Sequence, residues 1–282
     1  MSEENIKRFF DLARERENVR KLKEAGAPKP WSNDPVFQTE YFCNVFREDD
    51  KTTRWFRENV RDELKDNPTE ALAAITAFRW FNKIETGELI KEFLLYDWNT
   101  ERAREKLKDV RPVVTGAYII KTPDGMNKLD GVLWCIDRFI EKIHGRDFQE
   151  ILAGRASMEE ACAQLKTSPY LGNFMAWQVC SDARQTCLLR NARDVDTWAQ
   201  AGPGSTRGIG RVFYNNPDHF SYGGKNCEKE VLSLMQDLHY RSKDTKSWEG
   251  RPLATIDVSH WLCEVDKYIR CTEGGRMKRK YG

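Results

Sequence analysis

The spacing of apolar residues constrains the fold of this chain most strongly. Through most of the 282 residues, apolar side chains recur three and four positions apart, whereas alternation of β-branched and polar residues is scarce. This period places the apolar side chains on one face of a helix. The sequence therefore predicts a mainly α fold.

Helical patterns can be placed along the chain. A first amphipathic helix around Phe9 and Phe10 ends in the linker GAPKP at 26–30, because Gly and Pro terminate helices. Further helices are predicted at 35–46, 52–64, 69–82, 129–143, 148–152, 157–165, 171–189, 227–241 and 255–271. Two Gly-rich segments, 201–211 and 217–225, are predicted to be loops.

One segment favours β structure. VVTGAYIIK, at 113–121, combines β-branched and aromatic residues and leads into a Pro-Asp-Gly turn, which predicts a short β-hairpin at 113–128. The predicted organisation is an N-terminal helix with its linker, a single helical catalytic domain, and a basic tail, at 1–30, 31–275 and 276–282. Within the domain, helical layers at 31–112 and 129–275 are joined by the hairpin at 113–128.

Charge and cysteine content restrict the partners and the compartment. Lys plus Arg number 46 and Asp plus Glu 44, a formal charge of +2, so any anion site must be local. The eight cysteines form no C-x-x-C pair, and the chain opens on MSEENIKRFF, unlike a secretory signal. We expect reduced thiols in a cytoplasmic protein, in the host cytoplasm if a phage encodes it. No membrane partner is expected, since no apolar run approaches eighteen residues.

The segment AGPGSTRGIGR, at 201–211, has the composition of a phosphate-binding loop. Glycines let the backbone approach an anion, consecutive N–H groups form a concave nest, and arginine adds bidentate hydrogen bonds. The alternative is a purely structural loop. The candidate phosphate or DNA ligands are Gly202, Gly204, Ser205, Thr206, Arg207 and Arg211.

Two neighbouring segments resemble the helix-hairpin-helix DNA glycosylases. In SPYLGNFMAWQVCSDA, Gly172 and Ala176 match a leucine-glycine hairpin followed by a helix, and Asp196, in a V-D-T setting, lies 24 positions after Gly172. Tyr170 stands where the first hairpin glycine is usual. A carboxylate near a sugar–base bond stabilises an oxocarbenium-like transition state, so Asp196 is the candidate catalytic residue. Asp182 competes for this role, and a structural N-cap or salt bridge is the alternative.

Other catalytic and metal-binding motifs are absent from the sequence. It has no G-x-x-x-x-G-K-[ST], no H-E-x-x-H and no G-x-S-x-G, and its four histidines have no metal-ligand spacing. Cys180 and Cys187 have the first spacing of an iron–sulfur cluster, but the next cysteine is Cys227. We therefore predict no metal, no iron–sulfur cluster and no other cofactor.

Three further clusters are candidates for chemistry or for DNA contact. One helix face carries Glu264, Lys267 and Arg270 at three-residue spacing. They could form an ion-pair ladder, or they could serve as an acid, a base and a phosphate ligand. Arg47 and Arg79 lie beside aromatic residues, a composition that suits a groove for the nucleic-acid backbone but is common on ordinary helices.

Six segments in chain order, between Cys43 and Arg270, carry a wider resemblance. They are FREDDKTTRWF, FRWFN, GAYIIKTPDG, LGNFMAWQVCSD, WAQAGPGSTRGIGRVF and HWLCEVDKYIR. Together they are similar to the thymine-hypermodification family of phages and bacteria. That family includes α-glutamyl/putrescinyl thymine pyrophosphorylases, which are amino acid:DNA transferases, and the helical domain of 5-hydroxymethyluridine DNA kinases. The resemblance implies a helix-hairpin-helix glycosylase-like helical fold.

The resemblance implies a reaction on duplex DNA that carries a modified pyrimidine. A 5-hydroxymethyluracil pyrophosphate ester is attacked at its methylene carbon by a small amine, an amino acid or putrescine, and pyrophosphate leaves. The Gly-rich segment would hold the pyrophosphate, and Asp196 or Glu264 would deprotonate the amine. The target base would flip into an aromatic pocket formed by Trp177, Trp198 and Phe213.

Two alternatives to the transferase stay open. One is a DNA glycosylase that excises a bulky modified 5-hydroxymethylpyrimidine with the help of Asp196. The other is a helical DNA-binding module of a 5-hydroxymethyluridine DNA kinase system, which the missing P-loop favours. The sequence leaves undecided the amine, the modified base and the oligomeric state.

Overall fold

The computed structural model describes residues 3–224, 227–244, 248 and 250–275. The mainly α fold is confirmed. The helices are α1 (Glu3–Glu24), α2 (Pro35–Thr39), α3 (Lys51–Phe56), α4 (Asp62–Leu64), α5 (Pro68–Phe81), α6 (Ile84–Leu95), α7 (Thr100–Leu107), α8 (Lys128–His144), α9 (Gln149–Leu152), α10 (Met158–Leu165), α11 (Asn173–Ala183), α12 (Pro203–Tyr214), α13 (Cys227–Arg241) and α14 (Thr255–Thr272). A 3-10 turn spans Arg47–Asp49, and a π-helical turn, Arg57–Arg61, joins α3 to α4. The predicted basic tail lies outside the described residues.

The chain divides into two compact units. Unit 1 comprises Met1–Asp50 and Asp196–Gly282, and unit 2 comprises Lys51–Val195. This division differs from the predicted one, because α1 belongs to a unit with the C-terminal helices instead of forming a separate segment. The predicted joint at 113–128 lies inside unit 2.

Unit 1 is built around the close pairing of α12 with α14. A Cβ added to Gly208 would lie 2.4 Å from the Leu262 carbonyl oxygen, and one added to Gly204 would lie 3.0 Å from Cys263 Sγ. At Gly208 a side chain would collide with backbone, so glycine lets the two helices approach closely there, whereas at Gly204 the Cys263 side chain would have to shift slightly. α1 also packs on α12 and α14 and buries Phe9 and Phe10.

Unit 2 is built around α5, which packs against α6, α8 and α11. The helix begins with Pro68, whose fixed φ suits a first helical turn, and it ends at Asn82 in the left-handed conformation, φ 44°. Trp80 and Phe81 are fully buried. Since α5 is buried on most of its surface, it fixes the positions of the helices around it.

Within unit 2, α10 and α11 pack against each other and are joined by a short turn, and we call this pair the hairpin of unit 2. α10 begins with a capping box of Ser157 and Glu160, and Gly172 is the N-cap of α11. Between the helices, Leu171 is buried and Tyr170 has a φ of 62°. Tyr170 therefore adopts the left-handed conformation that glycine populates most readily.

The predicted β-hairpin is wrong. Among the described residues no element is a β-strand. The backbone of this segment bonds to helices instead: Thr115 N donates to Phe81 O over 2.8 Å, and Thr86 Oγ1 donates to Val113 O over 2.7 Å. The turn was predicted correctly, and Gly125 adopts a φ of 80° there.

Several helix limits also differ from the predictions. α2 ends at Thr39 because the backbone beyond it bonds to the buried Arg16, whose Nε donates to Cys43 O over 3.0 Å. α11 ends at Ala183 instead of 189, and α6 and α7 were not predicted. The predicted Gly-rich loop 201–211 is mostly helix, because its glycines serve the contact between α12 and α14.

Candidate nucleic-acid interface

Three arginines surround one buried aspartate where α12 faces α14. The Asp266 side chain is 1% exposed. Its carboxylate accepts from Arg207 Nε and Arg211 Nε, each over 3.0 Å, and from Arg270 Nε over 3.3 Å. Arg207 and Arg211 share a face of α12 because they are four residues apart. We call these four residues the Asp266 cluster.

The Asp266 cluster carries excess positive charge at the surface. The side chains of Arg207 and Arg270 are 39% and 43% exposed, whereas that of Arg211 is 10% exposed. Arg211 also binds both carboxylate oxygens of Glu273, over 2.9 and 3.1 Å. Burial opposes the charged form of Arg211, but its bonds to Glu273 and Asp266 raise its pKa overall. Three guanidinium groups against two carboxylates leave a local positive charge.

The predicted phosphate nest is instead the start of α12. Ser205 and Thr206 are buried, and their hydroxyls bond within the protein. Ser205 Oγ accepts from Gly202 N over 3.2 Å, and Thr206 Oγ1 donates to Gly202 O over 2.9 Å. These contacts engage both hydroxyls within the protein and argue against Ser205 and Thr206 as phosphate ligands, whereas the predicted roles of Gly202 and Gly204 stay predictions. Of its predicted ligands, Arg207 is the one with a well-exposed side chain.

The hairpin of unit 2 presents a second exposed surface. Gly172, predicted to contact DNA, is exposed, and an added Cβ there would have no atom within 4 Å. Tyr170 and Phe174 are 41% and 43% exposed. A helix N-terminus with an open glycine allows a phosphate to approach its backbone N–H groups, and exposed aromatic rings are surfaces on which bases can stack.

The predicted catalytic residue Asp182 and the predicted DNA contact Arg79 form a buried ion pair. Their side chains are 0% and 3% exposed. Arg79 Nη2 donates to Asp182 Oδ1 over 2.6 Å, Arg79 Nε binds Oδ2, and Arg79 Nη1 donates to Asn82 Oδ1 over 2.6 Å. Burial and mutual pairing contradict both predicted roles and make this pair a structural feature of unit 2.

Glu264 and Lys267, the other predicted catalytic residues, bond to each other and to the segment after α2. Glu264 Oε2 accepts from Lys267 Nζ over 3.2 Å and from Cys43 N over 2.9 Å. Lys267 Nζ also donates to Tyr41 O. The ion-pair alternative therefore holds for these two residues, whereas Arg270 belongs to the Asp266 cluster.

Asp196 is the predicted catalytic residue that is exposed. Its backbone oxygen accepts from Thr255 N over 3.1 Å and from Thr255 Oγ1 over 2.7 Å, at the start of α14. The backbone of Asp196 is thus fixed within unit 1, while the residue is exposed and accessible to a ligand.

The remaining predicted contacts are mostly buried. Arg47 is 7% exposed, and its backbone N–H bonds to Asp257 Oδ1 over 3.4 Å. Trp177 and Phe213 are 7% and 1% exposed. Their burial contradicts a role as walls of an open base pocket. Trp198 is half-buried, so its predicted role there stays a prediction.

The structure also brings together a thiol, a carboxylate and an imidazole. Cys43 Sγ, an Asp50 oxygen and a His260 ring nitrogen lie within 4.8 Å of one another. Burial raises the pKa of Cys43 well above its usual range, as do the charges of Glu264 and Asp50. Burial lowers the pKa of His260, but the hydrogen bond and charge of Asp50 outweigh it, so this pKa is raised.

Sequence reasoning missed Cys43, Asp50, His260 and Asp266, because their spacing carries no signal in the sequence. Cys43 and His260 lie in distant parts of the chain, as do Arg207 and its partner Asp266. Short-range motifs therefore cannot reveal either arrangement. The exposed aromatic residues of the hairpin were detectable, since they flank Gly172.

Fold and surface together define a helical protein with an exposed aromatic hairpin in unit 2 and an arginine-rich surface in unit 1. In the part of the chain that the structure describes, no helix is long and apolar enough to span a membrane. The model of the family "5-hmdU DNA kinase, helical domain" matches residues 3–276. The chain belongs to this family, which confirms the resemblance.

One relative with a stated activity is the 5-hmdU DNA kinase of Bacillus phage SP10. It is 28% identical to this chain over 284 aligned residues, which cover 89% of this chain and 42% of the kinase. The chain thus corresponds to less than half of the length of that relative. No solved structure matches the chain.

Proposed function

We propose that the chain is a DNA-binding helical module that acts in the modification of 5-hydroxymethyluracil in DNA. Its family and the phage kinase connect it to this base. The observation that carries the proposal is the pair of exposed arginines, Arg207 and Arg270, around the buried Asp266. A local excess of guanidinium groups suits DNA phosphate in a chain whose overall charge is only +2.

In this proposal the Asp266 cluster binds the DNA backbone. Asp266 holds Arg207 through Nε and Nη2 and Arg270 through Nε, so each guanidinium has a restricted orientation before DNA arrives. Restricting a side chain in advance reduces the entropy that binding costs. The N–H groups that do not bind Asp266 in such an arginine suit the oxygens of a phosphate.

The hairpin of unit 2 supplies a second contact in this proposal. Backbone N–H groups near Gly172 bind phosphate, while Tyr170 and Phe174 stack on bases. These two rings take the role that the sequence assigned to the buried Trp177. Contacts to the backbone position the protein, and the modified base supplies selectivity.

A binding experiment tests the module. Fluorescence anisotropy would compare duplexes with and without 5-hydroxymethyluracil, using the full chain and the double variant Arg207→Ala/Arg270→Ala. We expect the double variant to bind at least tenfold more weakly, since two charge-assisted contacts are lost at about 1 kcal/mol each. Arg155→Ala is the matched control, because Arg155 is 63% exposed in its pair with Glu150. Equal loss in the control would contradict the proposal.

A second candidate is the predicted transferase, which the exposure of Asp196 favours. An amine would form a C–N bond at the methylene carbon of the activated base as the C–O bond breaks and pyrophosphate leaves. Asp196 would accept the proton that the attacking amine loses. Arg207 would stabilise the charge that develops on the pyrophosphate.

Product analysis separates the candidates. DNA carrying the pyrophosphorylated base would be incubated with the protein, with and without amine, and assayed for released pyrophosphate and for abasic sites. The transferase would be supported if pyrophosphate release requires the amine and is lost in Asp196→Asn. Abasic sites formed without amine would identify a glycosylase. If neither product forms while DNA binding is intact, the result supports the DNA-binding module and excludes both enzymes.

A further inference from the structure

The cluster of Cys43, Asp50 and His260 in unit 1 has no part in the DNA-binding proposal or in the transferase candidate. Cys43 and Asp50 lie between α2 and α3, and His260 lies in α14. Their three donor atoms are all within 4.8 Å of one another. We propose that these side chains bind a divalent transition-metal ion, and that Zn²⁺ is the ion they suit best.

The spacing of the donors is close to that of a tetrahedral metal site. Metal–ligand bonds of about 2.0–2.3 Å place tetrahedral ligands roughly 3.3–3.8 Å apart. His260 Nε2 and Asp50 Oδ2 are already 3.3 Å apart, and the same Nε2 lies 3.1 Å from Asn44 O, so a metal bound at this nitrogen would replace both hydrogen-bonding contacts. The donor atoms lie within 4.8 Å of one another, so the widest pair needs a contraction of at most about 1 Å to reach this range.

The donor types select the class of metal. Zn²⁺ accepts thiolate, imidazole and carboxylate ligands together, whereas Ca²⁺ and Mg²⁺ take oxygen ligands. Three protein ligands leave one tetrahedral position for water or for a substrate atom. The set therefore suits a zinc site with an open position.

Hydrogen bonds already hold the backbone around these ligands. Asn44 N donates to Asp50 Oδ1 over 2.8 Å, and Cys43 N donates to Glu264 Oε2 over 2.9 Å. Arg16 Nε donates to Cys43 O over 3.0 Å. Such outer contacts fix the orientation of metal ligands and raise metal affinity.

The charge balance also suits a dication. Binding displaces the thiol proton of Cys43 and requires an unprotonated ring nitrogen on His260. The resulting thiolate and the Asp50 carboxylate neutralise the two charges of the metal, and Glu264 adds a nearby negative charge. The positive side chains whose fields oppose the metal belong to Arg16, Arg47 and Lys267.

The negative charges around Cys43 also favour a bound metal over a reactive cysteine. A thiol beside two carboxylates is held in its protonated form, and only the thiolate is a strong nucleophile. A cation reverses this effect, because it stabilises the thiolate directly. Bound metal would also tie residues 43–50 to α14, the helix that carries Asp266 and Arg270.

Cobalt spectroscopy on the full chain tests the site. Untagged protein, stripped of metal, would be titrated with Co²⁺ and then with Zn²⁺ as competitor. We expect one Co²⁺ per chain, tetrahedral d–d bands, and a thiolate-to-cobalt charge-transfer band that Zn²⁺ removes. Cys43→Ser should lose the charge-transfer band. Cys271→Ser, at a half-buried cysteine elsewhere on α14, should keep it.

The other two ligands provide an independent test. Asp50→Asn and His260→Gln should weaken Co²⁺ binding about tenfold or more, since loss of even an outer-shell partner costs 10–100-fold. Zn²⁺ should raise the melting temperature of the wild type and of Cys271→Ser but not of His260→Gln. A wild type without the charge-transfer band, or a band that survives in Cys43→Ser, would overturn the proposal. If Cys43→Ser does not fold, the wild-type titration and the other two ligand variants decide.

Discussion

Each unit of the molecule contains a buried aspartate bound to arginine, but the two arrangements differ in access to solvent. In unit 2, Asp182 and Arg79 are 0% and 3% exposed and bind each other. In unit 1, Asp266 is equally buried, yet Arg207 and Arg270 extend from it to a surface where they are 39% and 43% exposed. We call Arg79 with Asp182 the closed pair, because both side chains are buried. We call the Asp266 cluster the open cluster, because two of its arginines reach solvent.

The difference shows why burial has to be known before an acid–arginine pair is given a role. A buried pair gains attraction but loses hydration, so its net contribution to stability is modest, while the loss of one partner is costly. An arginine that is held at its base by a buried carboxylate and exposed at its tip can also bind an external anion. The closed pair therefore belongs to the fold, and the open cluster is suited to binding.

Breaking the closed pair should produce the largest effect. Arg79→Ala leaves the Asp182 carboxylate buried without its partner, and we expect a loss of about 3–5 kcal/mol in the free energy of unfolding. Urea denaturation followed by circular dichroism measures this loss. DNA affinity, corrected for the folded fraction, should not change.

The double variant Arg79→Met/Asp182→Leu is the control for that prediction. Replacing both charges with apolar side chains of similar volume is often close to neutral, so it should be far more stable than Arg79→Ala. If Arg79→Ala keeps the wild-type free energy of unfolding but loses DNA binding, the closed pair has a functional role and the comparison fails.

Separating the two helices of the open cluster should have the next largest effect. In Gly208→Ala the added Cβ meets the Leu262 carbonyl oxygen at 2.4 Å, so α12 must move away from α14. We expect a destabilisation of about 1–3 kcal/mol, as for other overpacked sites, and weaker DNA binding. The matched control is Gly202→Ala, whose Cβ would meet Ser205 Oγ at 3.9 Å. Equal melting temperatures for the two variants would contradict the packing argument.

Within the open cluster, the exposed and buried arginines should separate stability from DNA binding. Arg207→Ala and Arg270→Ala should each lower the slope of log affinity against log salt by about 1. Arg211→Ala, at an arginine that is 10% exposed and bound to two carboxylates, should mainly reduce stability. Anisotropy titrations at several salt concentrations, with thermal melts of each variant, measure both effects. A reduced salt slope in Arg211→Ala alone would reverse the assignment.

Sequence reasoning recovered elements whose signals are local. The predicted helix at 227–241 coincides with α13, Cys227–Arg241, and the one predicted at 69–82 lies within one residue of α5, Pro68–Phe81. α12 was missed because its glycines indicate a loop, whereas in the structure Gly208 allows close packing. A contact with a helix more than fifty residues away overrides local propensity.

The same limit explains what was predicted of the site. Arg207 and Arg211 were identified because they share one short segment, but their partner Asp266 lies far along the chain. Asp182 was offered as a catalytic acid because its pairing with Arg79, across 103 positions, leaves no trace in the spacing. Burial and long-range pairing decide which acids can act on a ligand, and both depend on the fold.

An exposed ion pair should contribute less to stability than either of the two buried arrangements, so its removal should show the smallest effect. Glu160, in the capping box of α10, binds Arg193, and their side chains are 50% and 67% exposed. The hydrogen bond from Arg193, with those from Ser157, lowers the pKa of Glu160 from 4.5 to about 2. Because the folded-state pKa is depressed, this stabilisation is present above pH 4.5 and is lost as the pH falls through about 2.

The variant Glu160→Gln should therefore melt slightly below the wild type at neutral pH, and the difference should vanish as the pH approaches 2. Melting temperatures measured across this pH range check the prediction. Glu159→Gln, at the neighbouring position of the same first turn, is the matched control. If the difference for Glu160→Gln instead grows toward low pH, the stabilisation does not come from the ionised carboxylate. Solvent screening keeps this pair weak, so its contribution should lie far below that of the Arg79–Asp182 pair.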